Sequence, residues 1–413
     1  MKNTLLLVII LLLAAFLRFW QLGNNPPSLN WDEAAWGYNA YTLGLDGRDE
    51  FGKFLPVQYL ESFGDFKPPV YAYLTVLPVK IFGLNEFSTR FASAFFGVLT
   101  VAVTYFLVKE LFKKSVFSVQ YSVFSAFFLA ISPWHINLSR AAFEANVASF
   151  FIVGGVWLFL VAVQDKPRWL ILSAISFVLS MYTFNTARIV SPLLVLILVI
   201  GFREKLKSLK KEIIVSGILG LIIFLPLGVF LISPQAKLRF NEVNIFSDLS
   251  IIEKTNQEIK NDNNAWWSKI IHNRRIAYAQ EFLKHYFDHF NPAFLFIKGD
   301  GNPKFSTGDV GQLYLWDLPF LILGTLFLFK KREGFWWLLP LWMAVGNIPA
   351  ATARETPHAL RIETTLPVWQ IITAYGVMSL MKLSFPRKRE SRSGFPIRSG
   401  MTTVFLFSLL FFN

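Results

Sequence analysis

Two adjacent carboxylates follow the first apolar segment of the chain. Asp32 and Glu33 stand between two tryptophans in the stretch LNWDEAAWGYNA, residues 29–40. A carboxylate can accept a proton in a catalysed displacement reaction. An acidic residue at the start of a helix can also face solvent and interact with the helix N-terminus. Taken by themselves, the two residues leave both interpretations open.

A lysine before a double proline is the second candidate for chemistry. The stretch GDFKPP contains Asp65 and Lys67. The residue before a proline is disfavoured in a helix, so Lys67 is expected in an extended turn. Such a turn would present the ammonium group to a phosphate. The alternative is an interfacial loop whose lysine contacts ordinary lipid headgroups.

Two later motifs each combine a cation with a second ionisable residue. SRAAFEAN places Arg140 and Glu144 four residues apart, and TPHALR places His358 and Arg361 three apart. Both spacings predict side chains on one face of a helix. Guanidinium and imidazole together suit a phosphate oxygen. The alternatives are a local ion pair at the first motif and an arginine that anchors a membrane span at the second.

A histidine pair in HYFDH offers a weaker hypothesis. His285 and His289 share a helix face, with Asp288 between them, in a spacing similar to that of zinc peptidases. A third ligand is not evident, and a surface helix is the expected structure. The nearby stretch KGDGNPKFSTGD does not have the spacing of a calcium-binding loop.

Composition sets the class of protein that must position these residues. Of 413 residues, 54% are hydrophobic and only 16% are charged, and the mean hydropathy is +0.45. These values predict a membrane protein. The net charge of +13 comes from short basic clusters between apolar runs, which argues against nucleic-acid binding. With no cysteine, the chain forms no disulfide and has no thiolate chemistry.

The apolar segments predict an all-α polytopic protein with about eleven transmembrane helices. Residues 5–17 are interpreted as a retained first span, because no small-residue cleavage site follows them. Residues 68–83 contain Pro78 and Lys80, and an interfacial helix is expected there instead of a span. The remaining predicted spans lie near 91–108, 116–134, 145–163, 169–186, 189–202, 213–232, 313–329, 335–351, 364–381 and 402–412.

The basic clusters fall in alternate loops, which predicts that all of them face the cytoplasm. The same register places residues 21–90 and a larger segment near 233–312 on the outer face. Four regions are expected: a transmembrane module at 1–232 with a catalytic first outer loop, the outer segment at 233–312, C-terminal helices at 313–382, and a basic loop with a doubtful terminal helix at 383–413. The candidate charges would then gather at one membrane surface.

The ordered motifs resemble those of the GT-C glycosyltransferases, in the branch of protein O-mannosyltransferases and aminoarabinose transferases of lipid A. The resemblance runs from the first span to about residue 382. Its carriers are WDEAAWGYNA, GDFKPPVYAYL, GLNEFSTRFASAFFGVLTV, SPWHINLSRAAFEAN, the region from YFDHFNPAFLFIKGD through GQLYLWDLP, and TPHALRIETTLP.

The resemblance implies a GT-C fold and an enzyme that uses a polyprenyl-phosphate-linked sugar. Members of this family pass a hexose or pentose, usually with inversion, to an acceptor hydroxyl at the outer or luminal face. Asp32 matches the first acidic residue of their first outer loop, which implies the role of general base. Glu144 matches the second outer acidic residue, for substrate positioning or metal binding, while Glu33 stays a possible second acid.

The same resemblance implies a set of donor-phosphate and substrate contacts. In the aminoarabinose branch an acidic residue directly precedes the lysine, and the pair is linked with metal or lipid-phosphate binding. Here Phe66 separates Asp65 from the lysine, so the role of Asp65 is open, and a divalent metal ion is the one cofactor left open. The residues expected to bind donor are Lys67, Arg140, Glu144, His358 and Arg361.

The function expected from the sequence is therefore a glycosyltransferase of a bacterial cytoplasmic membrane, with many spans and its active site on the outer face. Its expected partners are a polyprenyl-phosphate sugar, a protein, lipid or glycan acceptor, and membrane lipids. The main alternative is a transporter or flippase of lipid-linked saccharides, which would hold ionisable residues near the membrane midplane. A membrane peptidase built on the histidine pair is a weaker alternative.

Overall fold

The structure is a computed structural model that describes residues 2–384, and the fold is mostly helical. The predicted terminal span and most of the basic loop before it lie outside the described residues. Residues Met1–Ser379 form one compact unit. The helices α1 to α19 are Lys2–Phe19, Trp31–Asp46, Val70–Phe82, Glu86–Leu111, Ser118–Ile131, Pro133–Arg140, Glu144–Gln164, Trp169–Met181, Ala187–Gly201, Arg203–Leu206, Lys210–Leu231, Pro234–Val243, Leu249–Asn261, Trp266–Ile271, Arg274–Asp288, Asp317–Lys331, Leu338–Gly346, Ile348–Ala351 and Val368–Ser384.

A few short elements complete the fold. Strands β1, Leu60–Ser62, and β2, Asp65–Lys67, form an antiparallel hairpin in which Leu60 pairs with Lys67. A π-helical turn spans Phe294–Lys298. Single 3-10 turns occur at Ile245–Ser247 and Glu363–Thr365.

The predicted apolar segments before residue 385 each contain a helix, which confirms the helical class of the chain. Within the described residues, three helices, α4, α7 and α11, are long and apolar enough to cross a membrane. Others, such as α8 and α9, are apolar but shorter than the roughly 20 residues that a crossing requires. The structure thus supports a membrane protein without establishing a count of eleven spans.

Helices α4 and α7 pack side by side at the centre, and the loops at one end of this pair carry basic residues. Lys113 follows α4 and its ammonium contacts the carboxylates of Glu110, at 3.0 Å, and of Asp165, which follows α7. The backbone amide of Phe335 donates to the carbonyl of Leu111 at 3.1 Å. Predicted loops that are far apart in sequence therefore meet at one end of the bundle, which we call the basic end.

The segment between α1 and α4, residues 20–85, covers the opposite end of α4 and α7, and we call it the first long loop. Helix α2 packs on α3, and α3 packs on α4. A buried cluster joins Trp36 of α2 and Tyr71 of α3, whose rings lie 5.5 Å apart, to Ala92 of α4 and Val147 of α7. Helix α3 lies within residues 68–83, where the sequence predicts an interfacial helix instead of a span. Because this cluster is apolar and buried, it fixes the loop rigidly over the helix ends.

The segment after α15 returns to the same end of the bundle. A second buried cluster contains Trp134 of α6, Phe143, Phe294 and Trp369 of α19. Phe305 also belongs to this cluster, and its ring lies 5.5 Å from that of Phe143. Residues 294–313 are thereby held against the start of α7, close to the first long loop.

Candidate active site at the end of the helix bundle

Asp32 lies in the first turn of α2, where the local sequence fixes its position. Asn30 is the N-cap, and its side-chain oxygen accepts hydrogen bonds from the amides of Asp32, at 2.9 Å, and Glu33, at 3.1 Å. The indole of Trp31 donates to Oδ2 of Asp32 at 3.1 Å. The acidic pair does begin a helix, but only one of its two carboxylates faces the candidate site.

Two ammonium groups converge on the carboxylate of Asp32. Lys67, at the end of β2, contacts Oδ1, and Lys304 contacts Oδ2. Lys67 is only 6% exposed and its ammonium also lies 5.4 Å from the ring centre of Trp36. As predicted, Lys67 is extended before the double proline. One carboxylate and two cations therefore form a compact charged group.

The surroundings of Asp32 control its proton affinity. Burial would by itself raise the pKa of this carboxyl, but Lys67 and Lys304 outweigh burial and hold the pKa below its ordinary value. With both lysines in contact, the carboxylate is ionised and is a weak base. Its basicity would rise if another anion attracted the two ammonium groups.

Lys304 was not among the candidates from sequence, although it lies inside a stretch that had been considered. The loop before it is shaped by Asp300, whose carboxylate accepts the amide of Asn302 at 2.9 Å and that of Ala359 at 2.7 Å. Gly299 has a φ of 69°, which favours glycine. KGDGNPK is thus a turn that positions Lys304 rather than a calcium site, and the lysine at the end of this run of turn residues was the available signal.

Glu144 is the first residue of α7 and lies within electrostatic range of Asp32, Lys67 and Lys304. The predicted common helix face for Arg140 and Glu144 is wrong, because α6 ends at Arg140 and α7 begins at Glu144. The structure brings Glu144 to the charged group. Because the helix breaks between the two residues, Arg140 lies at the linker before α2 instead.

Arg140 supports the linker between α1 and α2. Its Nη1 donates to the carbonyl of Leu17 at 2.9 Å, and its Nη2 donates to those of Trp20 and Asn25 at 2.8 and 2.9 Å. The guanidinium is therefore engaged by main-chain oxygens. This placement differs from the predicted phosphate contact.

Glu33 turns away from the charged group and into the protein. Its Oε1 accepts from Arg90 Nε at 2.8 Å and from the amide of Ala142 at 3.0 Å, and Oε2 accepts from the amide of Asn30 at 3.0 Å. Glu33 is 1% exposed and Arg90 is fully buried. Arg90 also donates to the carbonyl of Pro26 at 2.7 Å. This buried ion pair ties the linker and α2 to α4.

His358 and Arg361 lie in turns before α19, so the predicted common helical face is wrong. The ring of His358 is buried against that of Phe305, with centroids 4.6 Å apart. Burial, and then the guanidinium of Arg361, lower the pKa of His358 to about 3, so the imidazole is neutral near pH 7. Arg361 donates to the carbonyl of Glu355 at 3.2 Å.

Asp65 lies at the turn of the β-hairpin. Its Oδ1 accepts the amide of Phe66 at 2.8 Å, and it lies within electrostatic range of Arg188. Phe66 packs on Tyr59 with ring centroids 5.1 Å apart. Asp65 thus helps to shape the hairpin that carries Lys67.

The described residues do not fit a metal centre. Among residues 2–384, no three His, Cys, Asp or Glu side chains lie together as ligands would. Both oxygens of Asp32 contact ammonium groups. In the histidine pair, Nε2 of His285 lies 2.8 Å from Glu281, and Nδ1 of His289 lies 2.8 Å from the carbonyl of His285. Both contacts are made within α15 and the residue that follows it.

The comparisons confirm the resemblance to the GT-C glycosyltransferases that the sequence predicts. Residues 66–230 match the family model described as dolichyl-phosphate-mannose-protein mannosyltransferase. An uncharacterized protein of Aquifex aeolicus (strain VF5) is 29% identical over 195 residues, which are 46% of this chain and 36% of that protein.

Solved structures share the fold at low identity. ArnT from Cupriavidus metallidurans in the apo state has a TM-score of 0.55 and 12% identity, over 92% of this chain and 60% of ArnT. ArnT bound to undecaprenyl phosphate has a TM-score of 0.54 and 13% identity, over 91% and 60%. The oligosaccharyltransferase AglB from Archaeoglobus fulgidus, in complex with an inhibitory peptide and a dolichol-phosphate, has a TM-score of 0.60 and 17% identity, over 99% and 54%. The chain thus spans little more than half of these proteins.

Proposed function

We propose that this chain is an integral membrane glycosyltransferase that transfers a sugar from a polyprenyl-phosphate donor to an acceptor hydroxyl. The observation that carries the proposal is the carboxylate of Asp32 held between the ammonium groups of Lys67 and Lys304. Similar solved structures contain undecaprenyl phosphate or dolichol-phosphate, which supports a lipid phosphate as the donor group.

The two lysines would bind the donor phosphate. Lys67 comes from the first long loop and Lys304 from the loop after the π-helical turn, so the pair can hold a phosphate from two sides. Two ammonium groups offset the negative charge that grows on the phosphate as the sugar leaves. Binding of the phosphate would draw both cations away from Asp32.

Asp32 would then act as general base. Once the lysines contact phosphate, they no longer hold its pKa down, and its carboxylate can accept the proton of the acceptor hydroxyl. The acceptor oxygen forms a bond to the anomeric carbon while the bond from that carbon to the phosphate oxygen breaks. This single displacement inverts the anomeric centre and leaves the lipid phosphate on the lysines.

The other predicted residues have supporting roles in this proposal. Glu144, close to the charged group, would position the acceptor or the sugar. His358 would act as a neutral ring that holds the loop of Lys304, and Arg361 would stabilise that turn. Arg140 and Glu33 would shape the linker before α2. The active site would face the outside of a bacterial cytoplasmic membrane, because the opposite end of the bundle carries the basic loops.

A transporter of lipid-linked saccharides is the alternative, and one experiment separates the two functions. The purified chain in nanodiscs would receive radiolabelled undecaprenyl-phosphate hexoses and pentoses together with a membrane fraction as acceptor. We expect label to move to the acceptor, and Asp32→Asn to reduce this rate by about 10²-fold or more. Asp46→Asn, at the exposed far end of the same helix, is the matched control.

Two outcomes would contradict the proposal. Near-normal transfer by Asp32→Asn would remove this residue from the role of base. Movement of intact lipid-linked sugar across vesicles, without transfer of label to an acceptor, would favour the transporter.

A further inference from the structure

Tyr182, directly after α8, bonds to two separate parts of the chain and is only 6% exposed. Its hydroxyl donates to the carbonyl of Ile223 at 2.8 Å and accepts the amide of Leu227 at 2.9 Å, both in α11. Its own carbonyl accepts the amide of Val70, just beyond Lys67 and its two prolines, at 3.3 Å. We infer that Tyr182 is a positioning residue, which holds Lys67 in place through α11 and the β-hairpin.

The hydroxyl of Tyr182 lies within the hydrogen-bond ladder of α11. In a regular α-helix the amide of Leu227 bonds directly to the carbonyl of Ile223, four residues earlier. Pro226 stands beside this pair, and a proline supplies no amide hydrogen and crowds the preceding turn. A proline and a side chain inserted into the ladder are both ordinary causes of a bend in a helix. The direction of the last turn of α11 therefore depends on where Tyr182 holds it.

The last turn of α11 carries the ring against which the hairpin packs. Phe230 is 3% exposed, and its ring centroid lies 4.9 Å from that of Tyr59. Tyr59 in turn lies 5.1 Å from Phe66, the residue before Lys67 in β2. Tyr59 and Phe66 both pack against the buried cluster that contains Tyr182 and Phe230. A row of rings thus connects the end of α11 to the residue next to the lysine.

The hairpin depends on this packing for its position. A two-stranded hairpin is at best marginally stable by itself, so the surface beneath it determines where it lies. Helix α12, which follows α11, also packs on β2. Both supports of the hairpin therefore move with the end of α11. The inference rests on the proposed function for the role of Lys67, where a misplacement of about 1 Å can lower the rate by about 10²-fold.

A distance measurement tests the inference without any transfer reaction. Tyr182→Phe removes the hydroxyl and keeps the ring and the backbone carbonyl. Spin labels would be placed on Phe63→Cys, in the exposed turn of the hairpin, and on Asp46→Cys, exposed at the end of α2, in a chain that has no other cysteine. Pulsed EPR of the full chain in nanodiscs should show a broader and shifted distance distribution in Tyr182→Phe.

A second variant and a control accompany this measurement. Phe230→Leu keeps an apolar side chain but removes the ring that packs on Tyr59, so it should alter the distance distribution in the same way. Tyr121→Phe is the control, because Tyr121 is 1% exposed and its hydroxyl donates to Glu333 at 3.1 Å at the basic end. It should leave the distribution as in the parent.

Kinetics connect the position of the hairpin to Lys67. With radiolabelled undecaprenyl-phosphate hexoses and pentoses, Tyr182→Phe should lower kcat/KM by about tenfold, because the lysine is less well placed. The effect should disappear in the Lys67→Met background, where no ammonium is left to position. It should persist in the Lys304→Met background, because Lys304 reaches the site through another loop. A general loss of stability would lower activity in both backgrounds alike.

The outcomes separate this inference from the proposed function. An unchanged distance distribution in Tyr182→Phe or in Phe230→Leu overturns the inference, whatever the activity of the chain. The same loss of kcat/KM in the Lys67→Met background also overturns it, because Tyr182 would then act independently of the lysine. A parent chain that transfers no label overturns the proposed function, while an altered distribution in that chain leaves Tyr182 as the residue that positions the hairpin.

Discussion

Lys304 contacts the carboxylate of Asp32 although 272 positions separate the two residues in the sequence. The contact depends on a turn in which the carboxylate of Asp300 accepts the amide of Ala359, so the segment around Ala359 helps to position Lys304. Lys67 approaches the same carboxylate from the hairpin. The geometry makes the charge of Asp32 and the position of both loops depend on one another.

The first prediction concerns the two lysines. Lys67→Met and Lys304→Met should each lower kcat/KM for the polyprenyl-phosphate donor by about 10²-fold, because each removes one charge opposite the leaving phosphate. The loss of Lys304 should be partly restored in Lys304→Arg, which keeps the charge. Donor-dependent kinetics in nanodiscs would measure both effects.

A matched control for this experiment is Lys298→Met, since Lys298 is exposed in the π-helical turn just before the loop. It should leave the kinetics unchanged. Equal rates for Lys304→Met and the parent across donor concentrations would show that Lys304 is only a counter-ion for Asp32.

The second prediction follows from competition between Asp32 and the donor phosphate for the same two ammonium groups. Asp32→Asn removes the competing carboxylate, so undecaprenyl phosphate should bind about tenfold more tightly, a change of about 1.4 kcal/mol. Turnover should nevertheless fall. Binding can be measured by the rise in melting temperature with lipid concentration, and weaker binding by Asp32→Asn would contradict the shared use of the lysines.

The third prediction is the dependence of stability on pH. The pKa of Asp32 is held below its usual value of 3.8 in the folded state, so its contribution to stability is present above that value and is lost as pH falls through the folded pKa. At pH 7, Asp32→Asn should lower the melting temperature, because two neighbouring ammonium groups lose their counter-ion. The difference between parent and variant should stay constant from pH 7 to about 5 and shrink below about pH 4.

Asp46→Asn provides the comparison, since Asp46 is exposed. Asp46→Asn should change the melting temperature little, both at pH 7 and below about pH 4. A difference between parent and Asp32→Asn that persists undiminished in acid would show that the lysines do not depress the pKa of Asp32.

The sequence predicted those parts of the site that depend on local signals. Asp32 is next to its helix cap, and Lys67 is extended by the prolines that follow it, so both could be placed from neighbouring residues. Lys304 reaches the site through a turn whose shape depends on Asp300 and Ala359, which sequence spacing does not reveal. The spacing of Arg140 and Glu144 predicted a shared helix face, and this was wrong because α6 ends at Arg140 and α7 begins at Glu144. Tertiary packing determines where that break falls, and sequence spacing does not reveal it.

The fourth prediction concerns the buried ion pair that anchors the start of α2. Glu33→Gln removes the charge that compensates Arg90, and breaking a buried pair from one side costs about 3–5 kcal/mol. The variant should therefore unfold at a clearly lower temperature in detergent. Arg90 holds the linker before Asp32 through the carbonyl of Pro26, so activity should fall with stability rather than independently of it.

A comparison with Glu61→Gln, in the hairpin, would separate this effect from a general sensitivity of the first long loop. Glu61 lies in β1, whose pairing uses the backbone, and its substitution should change the melting temperature little. If Glu33→Gln keeps the parent stability but loses transfer activity, then Glu33 acts in the reaction itself.

The last prediction assigns the two ends of the bundle to the two sides of the membrane. The chain has no cysteine, so single cysteines report without background. The basic end should face the cytoplasm, because clustered lysines and arginines are retained there during insertion. In sealed cells, Ser208→Cys and Lys331→Cys should resist an impermeant thiol reagent and react only after permeabilisation, while Glu253→Cys and Lys298→Cys should react at once. All four positions are exposed, so burial does not explain a failure to react. Labelling of Ser208→Cys in sealed cells would place the basic end outside and move the charged group of Asp32 to the cytoplasmic side, away from an outer-face donor.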